Sequence, residues 1–65
     1  MTAIERLNEI REMCNYRLYH VADKKIDEMY EEFISGELKL SEREENYMFA
    51  LLDRISNALY LGKEF

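Results

Sequence analysis

His20 is the only histidine of this chain, and Asp23 follows it three residues later. On a helix that spacing lets the two side chains touch. A carboxylate that orients an imidazole is the arrangement of a general base. The base would need a nucleophile and a pocket beside it, and the sequence offers a candidate for neither. His20 therefore reads as a solvated histidine, on a helix side shared with Met13, Tyr16, Asp23 and Asp27.

Metal chemistry finds as little support. Carboxylate-bridged two-metal bundles use Glu-x-x-His on facing helices, but Arg17 stands three residues before His20. Glu9 and Glu12 are spaced as a pair without a histidine beside them. Glu28, Glu31 and Glu32 could surround a hard cation, although acids on one helix face are more simply a solvated surface. Cys14 lies on an apolar stripe. Arg11 and Arg17 are near enough in sequence to activate it, yet a small buried hydrophobe is the simpler reading. No catalytic, cofactor-binding or metal-ligating residue is assigned, and no enzyme activity is expected.

The elements that carry these residues are helices. Two glycines and no proline in 65 residues are too few turn formers for a many-turned β fold. Thr2 with Glu5, and Ser41 with Glu44, match the reciprocal capping pattern of a helix start. Ile4, Leu7, Ile10, Cys14, Leu18, Val21/Ala22, Ile26, Met29 and Phe33 recur at about the helical 3.6, and Gly36 supplies a left-handed terminator. One long helix is predicted over residues 3–35. A second, over 42–61, carries the stripe Met48, Leu51, Leu52, Ile55, Ala58 and Leu59 and ends at Gly62. The short connector makes the two antiparallel neighbours. The expected fold is an all-α helical hairpin forming a single domain, residues 1–65.

The two helices differ in length, about 50 Å against about 30 Å. The second can cover the first only from about residue 15 onward, so Ile4, Leu7 and Ile10 lack an intrachain partner. A bend near Asn15 would fold that stripe back, but no glycine or proline is at hand to break the helix. The expected solution is a second copy, a homodimer forming a four-helix bundle. Its interface would take Ile4, Leu7, Ile10, Cys14 and Leu18 from the first helix. The second helix would add Phe49, Leu52 and Tyr60; Phe49 and Tyr60 fall away from the main stripe, as on a helix buried between neighbours. Size argues the same way, because a chain this short buries only about 60% of its unfolded surface. Arg11, Asn15 and Lys25 interrupt the first stripe, where they would set register or reach out to its edge.

The net charge of −5 argues against nucleic acid and anionic membranes as direct partners. The longest apolar run, Tyr47–Leu52, is far below the ~20 residues of a membrane span, and no signal segment is read at the start. A lone cysteine suits a reducing compartment, so a cytoplasmic protein is expected. The charge is uneven. Residues 27–45 hold eight acids and two basic residues, a net −6, at the turn end of the hairpin. Glu28, Glu31, Glu32, Glu37 and Glu45 are the expected contact surface for a basic protein partner; the competing surface is Met13, Tyr16 and His20. Acids at a helix start also have a plainer cause in the helix dipole.

The function expected is protein–protein binding in a regulatory, accessory or inhibitory role, a make-up common among small proteins of bacteria and their viruses. The alternative is a nucleic-acid-related regulator, either mimicking DNA charge to occupy a basic partner or acting as a minimal transcription-modulating module. Direct DNA reading needs exposed Arg, Lys, Asn or Gln on a recognition helix, and the second helix has almost none.

Overall fold

The computed structural model describes residues 2–62, so Met1 and residues 63–65 of the predicted domain lie outside it. Among the described residues the chain is all helical, with α1 (Ala3–Asn15), α2 (Tyr19–Ser35) and α3 (Glu42–Tyr60). There are three helices, where the periodicity predicts two. The long first helix is broken over Tyr16–Leu18, and the hairpin is a three-helix bundle.

The break is made by backbone hydrogen bonds at a residue of unusual conformation. Arg17 has φ 65°, the left-handed region. Its N–H donates to the Cys14 carbonyl (3.0 Å), and the Leu18 N–H reaches back to the Met13 carbonyl (2.8 Å). This pair of bonds is the glycine-type helix terminator, built here on an arginine. A non-glycine residue held left-handed costs about 1–2 kcal/mol. In return α1 folds back and covers its own stripe: Leu7, Ile10 and Cys14 are buried in the chain's core. Covering two side chains the size of Leu7 and Ile10 is worth about 3–6 kcal/mol, so burial wins. The stripe that looked unmatched in a straight helix is matched within the chain.

The corner also changes which residues point inward. Leu18, expected on the stripe, is 50% exposed, and its neighbour Tyr19 takes the inward position at 6%. Leu18 is the first cap of α2 and contributes no side-chain hydrogen bond. The other helix ends follow their local signals. Thr2 and Glu5 cap α1 reciprocally (3.0 and 3.2 Å), and Ser41 and Glu44 do so for α3 (2.8 and 3.2 Å). Gly36 closes α2 with φ 88°.

The core runs through the middle of the bundle: Leu7, Ile10 and Cys14 from α1, Tyr19, Ala22, Ile26 and Met29 from α2, and Met48, Leu51 and Ile55 from α3. Leu38 and Leu40 of the connector pack against it. Helix α2 is antiparallel to both neighbours. Helices α1 and α3 run the same way, side by side, in one register: Tyr47 Oη donates to Asn8 Oδ1 (2.7 Å) and Arg54 Nη1 to Asn15 Oδ1 (3.1 Å), each pair 39 residues apart. The bundle measures 32 × 19 × 19 Å, well short of the about 50 Å of a continuous first helix.

Candidate protein-binding surfaces

The eight residues expected to meet a second copy divide between the inside and three different surfaces. Leu7, Ile10 and Cys14 belong to the chain's own core. Ile4 is exposed on α1, and Leu18 at the corner. Phe49, Leu52 and Tyr60 lie on the side of α3 that turns toward α2, with Leu52 half-buried and Tyr60 exposed.

The acidic end differs from its sequence picture because α1 folds back onto it. Glu28, Glu31 and Glu37 are exposed and Glu45 is half-buried. Glu32 is not a free carboxylate. Arg6 of α1 grips it with both guanidinium nitrogens, at 2.9 and 3.0 Å. That hydrogen bond holds the Glu32 carboxyl below its ordinary range, and the same partner holds the Arg6 guanidinium up, with Glu28 adding attraction. The N-termini of α1 and α3 sit at this same end, where Glu5, Glu42, Glu44 and Glu45 are favoured by the helix dipoles. An open depression there is lined by Glu31, Glu32, Ser35 and Glu37.

Met13, Tyr16 and His20 do not share one helix face. The corner intervenes: Met13 is half-buried on α1, Tyr16 caps that helix and is exposed, and His20 lies on α2. Burial pushes the Asp23 carboxyl up, Asp27 adds repulsion, and His20 opposes both. Burial likewise raises the Cys14 thiol. The cation that pulls it back is Arg54 of α3, not Arg11 or Arg17 as sequence proximity suggests. Arg11 instead lies over the Tyr47 ring, 5.9 Å from its centre. With Asn15 bonded to Arg54, two of the three polar interruptions of the stripe serve the α1–α3 seam. The third, Lys25, is exposed. Among the described residues no three His, Cys, Asp or Glu side chains gather as a metal site, and no helix is long and apolar enough to cross a membrane.

The surface that sequence reasoning missed is the groove between α2 and α3. Phe49 of α3 meets Tyr30 and Phe33 of α2 edge to face, at 6.3 and 6.5 Å between ring centres and 71° and 80° between planes. Tyr30 and Phe33 are half-buried, but Phe49 keeps 45% of its surface exposed. Ile34, exposed, and Leu52, half-buried, extend the patch on either side. At 100° per residue, Asp23, Asp27, His20 and Glu31 fall along the α2 shoulder of this groove; on α3 Asp53 flanks Phe49 on its outer side and half-buried Glu45 on the side toward α2. The off-stripe angle of Phe49 was the available signal; its aromatic partners are placed only by how α2 pairs with α3.

Compared with known proteins, the chain matches no family model, no curated protein and no solved structure.

Proposed function

We propose that this chain is a small helical protein that works by binding another protein, and that the α2–α3 groove is the surface it uses. The observation that carries this reading is Phe49. It completes an aromatic trio with Tyr30 and Phe33 and still presents nearly half its area to solvent. Rigid aromatic anchors in a partly dry setting are the side chains from which binding hot spots are built. The role is regulatory or accessory, and the free, buried Cys14 suits the reducing cytoplasm.

The acidic-end reading, including its nucleic-acid-mimic form, is the weaker one. One of its five residues, Glu32, is already paired with Arg6. A homodimer built on the first-helix stripe is likewise weakened, because Leu7, Ile10 and Cys14 are occupied inside the chain. What remains for a second copy is the Phe49, Leu52 and Tyr60 side of α3.

The test is affinity capture from the native cell with the unaltered chain and with Phe49→Asp, compared protein by protein. A partner held by the first and lost by the second supports the groove. Identical captured sets, with Phe49→Asp still helical by circular dichroism, would remove it.

A further inference from the structure

We infer that the groove between α2 and α3 receives a basic amphipathic helix of another protein, its apolar side chains seated on Tyr30, Phe33, Phe49 and Leu52 and its Lys or Arg residues on the acidic shoulders. This deepens the proposed function and rests on it.

Shape comes first. A groove between two antiparallel helices is a seat for a third. Helix α2 has 17 residues and α3 has 19, so the groove is about 25 Å long, room for four to five helical turns. Its middle is apolar and partly exposed, which an occupant with apolar side chains at i, i+3/i+4 and i+7 would cover.

Charge then selects the occupant. Both shoulders carry carboxylates: Asp23, Asp27 and Glu31 on α2, Glu45 and Asp53 on α3. None of them forms an ion pair with a described residue; the ion pair of Glu32 lies on the other side of α2. The cations of α3, Arg43 and Arg54, fall on the side facing α1, where Arg54 bonds Asn15. On α2 His20 falls between Asp27 and Glu31, and Lys24 lies 20° beyond Glu31 at the outer edge of the shoulder, so the carboxylates outnumber the basic groups there by three to two. The crowding of like charges is felt at Asp23, whose carboxyl is raised by burial and then by Asp27. An occupant bearing Lys or Arg on both flanks would relieve that repulsion and be steered in by it.

The same arrangement disfavours other occupants. A second copy docked groove to groove would set five carboxylates against five, and like charges opposed across an interface cost several kcal/mol. A second copy offering its α1–α3 face brings arginines but few exposed apolar contacts, Ile4, Ala50 and, at the end of α3, Leu61. Nucleic acid and anionic lipid are repelled by the acidic shoulders.

The experiment uses the full chain, isotope-labelled for NMR, and three synthetic helices of about 14 residues in one amphipathic register: Leu with Lys, Leu with Gln, and Leu with Glu. The Leu/Lys peptide is expected to bind and to shift the resonances of Tyr30, Phe33, Ile34, Phe49 and Leu52, while the Leu/Glu peptide leaves them unmoved. Phe49→Ser should weaken Leu/Lys binding about tenfold or more. The surface pair Asp27→Asn with Asp53→Asn should weaken it about threefold or more at low salt and less at high salt. If the Leu/Gln or Leu/Glu peptide fills the groove as tightly as Leu/Lys, the basic partner falls and the protein-binding groove stands. If no peptide shifts groove resonances, or Leu/Lys shifts only Glu28 and Glu37 at the acidic end, both fall. If the groove resonances depend on the concentration of the chain alone, the occupant is a second copy and the inference is overturned.

Discussion

Arg6 of α1 and Glu32 of α2, 26 residues apart in sequence, are joined by two parallel hydrogen bonds of 2.9 and 3.0 Å at the acidic end of the bundle. The pair exists only because the chain turns back at Arg17. It fastens the start of α1 to the end of α2.

That fastening carries a pH signature. The Arg6 hydrogen bond lowers the Glu32 carboxyl from its ordinary 4.5. A carboxyl lowered on folding contributes fully above its unfolded pKa, and the contribution disappears as pH falls through the folded one. The melting temperature should therefore drop more steeply below about pH 4.5 in the unaltered protein than in Glu32→Gln. Thermal melts between acid and neutral pH measure this, and equal slopes would show that the pair adds nothing in solution.

Asp23 runs the other way. Burial, reinforced by Asp27, raises its carboxyl from the ordinary 3.8. A raised carboxyl costs stability once pH exceeds the unfolded value, and the cost reaches its full size above the folded one. Asp23→Asn should raise the melting temperature at neutral pH and make no difference below about pH 3.8. A lower melting point at neutral pH would mean that the contact with His20 outweighs the crowding.

The fold-back separates two leucines that one straight stripe would treat alike. Leu7→Ala empties a fully buried site and should cost about 2–5 kcal/mol in urea unfolding, whereas Leu18→Ala at the exposed corner should cost less than about 1 kcal/mol. Equal losses would favour the continuous helix.

Arg17 can be tested in the same assay. Arg17→Gly and Arg17→Val both remove the arginine side chain, so its contacts cancel in the comparison. Glycine accepts φ 65° freely and a β-branched residue resists it. The valine variant should be less stable than the glycine variant by about 1–2 kcal/mol.

Much of this architecture is written locally. Thr2/Glu5, Ser41/Glu44 and Gly36 mark helix ends where the chain makes them, because each acts through a hydrogen bond or a φ angle within a few residues. The inward stripes of α2 and α3 are legible for the same reason. The corner is not, because Tyr16-Arg17-Leu18 holds no glycine, proline or capping side chain. What bends it is the distant gain from burying Leu7 and Ile10. The same holds for the surfaces. The acids are visible in the sequence, but the neutralising Arg6 arrives from 26 residues away, and the groove aromatics meet only when α2 lies against α3.

The corner at Arg17 makes α1 a detachable arm. Returning Arg17 to the right-handed region and Leu18, now at ψ 56°, to helical values would fuse α1 and α2 into a single rod running from Ala3 to Ser35. Its freed Leu7, Ile10 and Cys14 could then fill the vacated slot of a neighbouring chain while that chain's arm fills its own. Such a domain-swapped pair buries the same side chains as two closed monomers. Protein concentration, together with the conformational preference of residue 17, would set the balance between the two forms.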